Sequence, residues 1–180
     1  MMSSVNNDAK LTSSMEDYIE AIYNISKENK VVRVKDIARK LDVKMPSVTS
    51  MIKLLGERGL LVYEKYGYLE LTKKGKLIGS GVDEKHKVLR EFLVEILRID
   101  YEQADKDACG MEHNISSTTL KAIVDFLEFI KYCPWSKPLW LDHFDEYSTG
   151  NLFKNREKCL KHMKDIVANL TGVINKVTNE

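Results

Sequence analysis

The chain has 180 residues, 43% apolar and 31% charged, enough for one or two small domains with a hydrophobic core and ordinary for a soluble globular protein. No apolar run reaches the roughly 18 to 20 residues that span a bilayer, the opening MMSSVNNDAK lacks the pattern of a signal peptide, and the three scattered cysteines Cys109, Cys133 and Cys159 suit a reducing compartment, so a cytoplasmic, non-membrane protein is expected. The net charge of +1 hides a segregation: residues 27–90 carry a net +8, the footprint of a DNA-binding unit, and residues 91–150 a net −7, which suits cations or a solvated face.

In chain order, residues 1–13 read as a flexible N-terminus. From Ser14, SMEDYIEAIYNIS places Met15, Ile19, Ile22 and Tyr23 at helical spacing, with Ser13 or Ser14 as N-cap and acids in the first turn. Two short helical patterns follow, Lys35 to Leu41 and Pro46 to Arg58. Pro46 suits a first helical position and Gly59 a left-handed stop. So tight a pair is a helix-turn-helix, whose second member enters the major groove. LLVYEKYGYLELT then alternates as a two-stranded wing with Gly67 near its turn, completing a winged helix-turn-helix over residues 14–75. Candidate DNA contacts are Lys44 just before the second helix, Pro46, Ser47, Thr49, Ser50 and Lys53 on it, and Lys65 and Tyr66 on the wing. Hydroxyls and amines of this kind suit phosphates and base edges but name no target sequence.

From Thr72 a long helix is expected, weakened early by Gly75, Gly79 and Gly81, with Val82, Val88, Leu89, Phe92, Leu93, Ile96 and Leu97 on its buried face. A helix near Tyr101 to His113 comes next. Ser116 or Ser117 then caps a third, whose stripe of Leu120, Ile123, Val124, Leu127 and Ile130 calls for burial against a second copy of the chain. Residues 76–140 therefore read as a helical dimerisation domain, and the fold class as mainly α with a small β wing. Residues 141–180 read as a helical extension, with Leu152, Leu160, Met163, Val167, Leu170, Ile174 and Val177 on one face. Cys133, Cys159 and His162 are read as structural.

In DACGMEH a helix sends Cys109, Glu112 and His113 from one face at i, i+3 and i+4, a partial shell for a divalent transition metal. Asp17 and Glu20 repeat the i, i+3 spacing on the first helix, and His86 lies on the long helix. Enzyme signatures such as HExxH, a nucleophile elbow or a phosphate loop are not found, so no catalysis is expected. A metallohydrolase would leave the helix-turn-helix unexplained. A winged-helix regulator of another signal, with Cys109 as a redox switch, is the alternative.

These motifs resemble the diphtheria-toxin-repressor and manganese-transport-regulator family of metal-dependent repressors. The likeness runs from residue 14 to 131 through SMEDYIEAIY, VKDIARKLDVKMPSVTSMIKLL, GLLVYEKYGYLELTKKG, the His86 region and CGMEHNIS. It implies a homodimer that binds palindromic operator DNA when loaded with metal and controls metal-uptake genes. It implies Asp17, Glu20, His86, Cys109, Glu112 and His113 as the ligands. Cys109 matches the iron-sensing branch, whereas Asp17 matches the manganese-sensing branch, so the expected effector is Fe²⁺ or Mn²⁺, with Zn²⁺ or Co²⁺ able to substitute in vitro. Arg90 and Asp105 stand where the iron branch holds an ancillary metal, and Gly67-Tyr68 replaces the usual Arg-Gly of the wing.

Overall fold

The computed structural model describes residues 11–63 and 68–132, together with positions 141, 144, 147, 148, 150, 160, 161, 164, 165, 167 and 168. The described elements are α1 (Ser13–Glu28), α2 (Val34–Lys40), α3 (Met45–Glu57), β1 (Leu61–Tyr63), β2 (Leu69–Leu71), α4 (Lys73–Glu95), α5 (Tyr101–Glu112) and α6 (Ser117–Tyr132). By compactness the chain divides into residues 1–125 and 126–180.

Within the first unit, α1 begins one residue earlier than its apolar pattern suggests. Its N-cap is Thr12, not Ser13 or Ser14, because Thr12 has extended backbone and its hydroxyl accepts from the Met15 amide. Met15, Tyr18, Ile19, Ile22 and Ile25 form one buried stripe. They pack with Ile37 of α2, with Val48, Ile52 and Leu55 of α3, and with Leu61, Leu69 and Leu71 of the wing. Each such side chain contributes roughly 1.5–3 kcal/mol by leaving water, so the helix-turn-helix is organised around α1.

The turn between α2 and α3 holds Asp42 at φ 51°, a left-handed conformation that a short carboxylate side chain tolerates. Pro46 is the second rather than the first residue of α3, after Lys44 as N-cap. Past α3, Gly59 has φ 69°, its amide donates to Gly56, and the Leu60 amide donates to Leu55. This paired Schellman arrangement stops α3 and turns the chain into the wing. The strands are antiparallel, with Leu61 opposite Leu71 and Tyr63 opposite Leu69. Val32 bridges to Leu69, tying the α1–α2 link to the wing. Gly67, with the wing tip, lies outside the described residues.

α4 is capped by Thr72 and is continuous despite its glycines. Two of them are points of close approach. A Cβ at Gly75 would overlap the Leu60 carbonyl oxygen, and one at Gly79 would come 2.8 Å from Tyr23 Cβ on α1, whereas at Gly81 it would meet nothing. Replacing Gly75 by alanine is therefore expected to destabilise the protein by about 1–3 kcal/mol. Gly81→Ala should instead stabilise it by about 0.5–1 kcal/mol through the entropy of the unfolded chain. Thermal denaturation of the two variants checks the opposite signs.

Further along, Leu89 and Leu93 of α4 pack with Ala104 and Ala108 of α5, joined by Phe92, Ile115, Leu120 and Ile123. Leu97, expected on this buried face, is exposed because α4 ends at Glu95 and the chain turns at Arg98 with φ 57°. α6 is capped by Ser116, whose hydroxyl accepts from the Thr119 amide. Among its described residues only Leu127 is buried.

In the second unit, Phe129 and Tyr132 of α6 are 60% and 82% exposed. Positions 160, 161, 164, 165, 167 and 168 are helical and exposed, including Leu160 and Val167. The rest of the expected 152–177 stripe, with Cys133, Cys159 and His162, lies outside the described residues. No described helix is long and apolar enough to cross a membrane.

Candidate metal centre

Three helices of the first unit supply the centre. α1 is oriented by its buried stripe, so its next face carries Glu16, Asp17 and Glu20 toward α5. α5 is held on α4 by two small residues, Ala104 and Ala108, and its last turn delivers Cys109, Glu112 and the C-capping His113. α4 adds His86, one turn before buried Leu89. All six sequence-expected ligands are brought together, in two groups whose donor atoms lie within 4.8 Å of one another: Asp17, Cys109, Glu112 and His113, and Glu20, His86 and Glu112. Glu112 belongs to both.

Glu112 is 1% exposed. Its Oε2 lies 2.9 Å from His86 Nδ1, while its buried Oε1 accepts no hydrogen bond among the described residues, although His113 Nε2 stands 3.3 Å away. Both nitrogens of His113 already face other carboxylates, Nδ1 to Glu16 at 2.7 Å and Nε2 to Asp17 at 2.7 Å. On the far side of His86, Nε2 faces Asp105 at 3.0 Å, and Arg90 donates to the same Asp105 oxygen at 2.6 Å while stacking over Tyr101. The two positions that a likeness to iron sensors would assign to an ancillary metal thus hold an ion pair.

The electrostatics follow from crowding acids around imidazoles. The Glu112 hydrogen bond, aided by Asp105 and opposed by burial, raises His86 to about 9. Burial works against a charged His113, yet Glu16 and Asp17 outweigh it and raise its pKa. Burial and then Glu112 raise Glu20. The Cys109 thiol is pushed up to about 11, by burial first and by Glu112, Asp17 and Glu20 after it. At neutral pH the His86 imidazole and the Cys109 thiol keep protons that a bound cation would have to displace. A deeply buried carboxylate oxygen that accepts no hydrogen bond among the described residues, amid thiol, imidazole and carboxylate ligands, fits a divalent transition metal and requires those protons to leave when it binds.

Nearby, Asp83 of α4 is buried and receives Lys27 of α1 and Lys87, each at 2.7 Å. Burial would raise its pKa, but the two ammonium groups prevail and hold it below the usual range.

On the helix-turn-helix, the N-capping Lys44 and Pro46, Ser47, Thr49, Ser50 and Lys53 of α3 are all exposed. The Thr49 and Ser50 hydroxyls donate to the Met45 and Pro46 carbonyls at 3.0 Å, leaving oxygen lone pairs outward. Lys65 and Tyr66 lie outside the described residues. What residue spacing missed are Glu16 and the Arg90–Asp105 pair as neighbours of the histidines. Glu16 sits in a first helical turn, where acids are favoured by the helix dipole alone, so its position carried no distinguishing signal.

Residues 10–69 match the family model described as the iron dependent repressor N-terminal DNA binding domain, and residues 72–141 match its metal binding and dimerisation domain. The HTH-type transcriptional regulator MntR of Bacillus subtilis (strain 168) is 42% identical over 120 residues, covering 67% of this chain and 84% of that one. The solved manganese regulator SloR is 31% identical with a TM-score of 0.60, covering 69% of this chain and 58% of the other, so this chain spans little more than half of that molecule. A manganese-dependent transcriptional repressor in complex with manganese gives 25% identity and a TM-score of 0.59, covering 64% and 53%.

Proposed function

The chain belongs to the iron-dependent repressor family, and from that membership we propose a transcriptional repressor activated by Fe²⁺ or Mn²⁺. It acts in the cytoplasm, binds palindromic operator DNA as a homodimer, and governs metal-uptake genes. Asp17, Glu20, His86, Cys109, Glu112 and His113 are the proposed ligands. Because Glu112 is shared by two groups of donors, two adjacent cations per subunit are the reading that uses every one of them. The observation that carries the proposal is the buried Glu112 oxygen at the junction of these groups, which accepts no hydrogen bond among the described residues.

Asp17 and Glu20 ride on the helix around which the helix-turn-helix is packed, whereas His86, Cys109, Glu112 and His113 ride on α4 and α5. Left with only protons to offset them, Asp17, Glu20 and Glu112 repel one another, and α1 gains freedom relative to α5. A bound divalent cation supplies the positive charge that offsets this repulsion. Asp17 and Glu20 then hold α1 against α4 and α5, which fixes α3 and the spacing of two recognition helices about one DNA turn, roughly 34 Å, apart. The exposed face of α3 meets the groove, and the half-buried stripe of α6 is offered to the second copy. Linkage makes the coupling reciprocal, so operator DNA must raise metal affinity as much as metal raises DNA affinity.

A mobility-shift titration on the protein's own promoter tests this. Tight binding is expected with Mn²⁺ or anaerobic Fe²⁺ and its loss in chelator; equal binding under both conditions would sink the proposal.

A further inference from the structure

Each imidazole of the centre turns one nitrogen inward and the other onto a carboxylate that belongs to neither donor group. His86 has Nδ1 on Glu112 and Nε2 on Asp105; His113 has Nε2 on Asp17 and Nδ1 on Glu16. We propose that Asp105 and Glu16 are positioning residues that hold the two histidines in opposite tautomers, His86 with its proton on Nε2 and Nδ1 free for a divalent cation, His113 with its proton on Nδ1 and Nε2 free. The inference rests on reading the centre as a metal site.

A neutral imidazole has one N–H and one lone pair, and a metal takes the lone pair. An ionised carboxylate only accepts, so one placed at the outer nitrogen keeps the proton there and leaves the inner lone pair facing the cluster. Asp105 is itself anchored: Arg90 donates to it at 2.6 Å and is stacked 4.9 Å over Tyr101. Arg90 is also 3.5 Å from His86 Nε2, and were that nitrogen to accept from the guanidinium, the proton would move to Nδ1 and block the inner position. The shorter 3.0 Å separation from Asp105 favours a proton on Nε2 over acceptance from Arg90, and Nδ1, which meets Glu112 at 2.9 Å, is the nitrogen left to give up its proton to a cation. Without Asp105, Arg90 is the remaining neighbour and selects the wrong tautomer. Glu16 does the same service for His113 from the first turn of α1, so the helix that carries Asp17 also orients the histidine that Asp17 meets.

The test is long-range ¹H–¹⁵N correlation on the full chain labelled at histidine and loaded with Cd²⁺, together with Cd²⁺ titration calorimetry. The expected result is a metal-bound Nδ1 with a protonated Nε2 at His86, and the reverse at His113. Asp105→Ala and Glu16→Ala should each lose the pattern at their own histidine and weaken Cd²⁺ binding about 10- to 100-fold. Asp105→Asn and Glu16→Gln, whose amide oxygens still accept, should largely restore both. His86 bound through Nε2, His113 bound through Nδ1, or alanine variants with affinity and tautomers unchanged would overturn the inference while leaving the metal reading intact. Histidine signals that do not respond to Cd²⁺ at all in the unaltered protein would overturn both.

Discussion

Glu112→Gln is expected to abolish metal-dependent DNA binding while leaving the protein folded. The substitution keeps the shape of a side chain that is 1% exposed and enclosed by α1, α4 and α5, so little repacking is required. It removes one negative charge from both donor groups at once. Withdrawing a charge from a buried ionic cluster costs roughly 3–5 kcal/mol, which is about two to three and a half orders of magnitude in affinity. The amide would also set an N–H donor against His86 Nδ1 or His113 Nε2, the nitrogens that must be free of protons to ligate. Titration calorimetry with Mn²⁺ should show that loss, and the variant's mobility shift in Mn²⁺ should resemble that of the unaltered protein in chelator. Circular dichroism should stay unchanged. A variant that still bound operator in a Mn²⁺-dependent way, at concentrations within about threefold of the parent, would remove Glu112 from the centre.

Much of this was open to reading because helical spacing is a strong constraint. Cys109, Glu112 and His113 leave one face of any helix, and so do Asp17 and Glu20; the apolar stripe of α1 then dictates which way the second pair looks. Spacing is silent about what a side chain does at its far end. That Glu112 is shared between two groups rests on His86, which meets it at 2.9 Å from another helix, twenty-six residues away. Gly75 and Gly79 read as weak points because propensity penalises glycine in any helix, yet here the missing Cβ admits Leu60 and Tyr23. Periodicity places Leu97 on a buried face because the pattern continues past a helix end that only the turn at Arg98 defines. Local pattern therefore marked the elements and two same-face groups of possible ligands, the likeness to metal-dependent repressors joined those groups with His86, and long-range contacts supplied the arrangement among them.

Cys109→Glu should move metal preference toward Mn²⁺. The thiol is the one soft donor in the centre, and softness favours Fe²⁺ and the later metals over Mn²⁺, which prefers oxygen. Protonation opposes it as well: partial desolvation and four nearby acids, Glu112, Asp17, Glu20 and Asp105, raise the thiol to about 11, so a proton must be released whenever sulfur ligates near neutral pH. Metal affinity through sulfur accordingly rises with pH throughout the range below that value, since each step upward makes the thiolate cheaper to form. A carboxylate at 109 has no such proton to lose at pH 7, so the variant's affinity should climb less steeply between pH 6 and 8. Cys109 is exposed and at the edge of the cluster, which leaves room for the longer oxygen-bearing side chain. The ratio of the Fe²⁺ and Mn²⁺ concentrations that half-saturate DNA binding should shift by about tenfold in favour of Mn²⁺, equivalent to about 1.4 kcal/mol. Anaerobic titrations of parent and variant at two pH values measure both effects, and an unchanged ratio would mean that sulfur takes no part in choosing the metal.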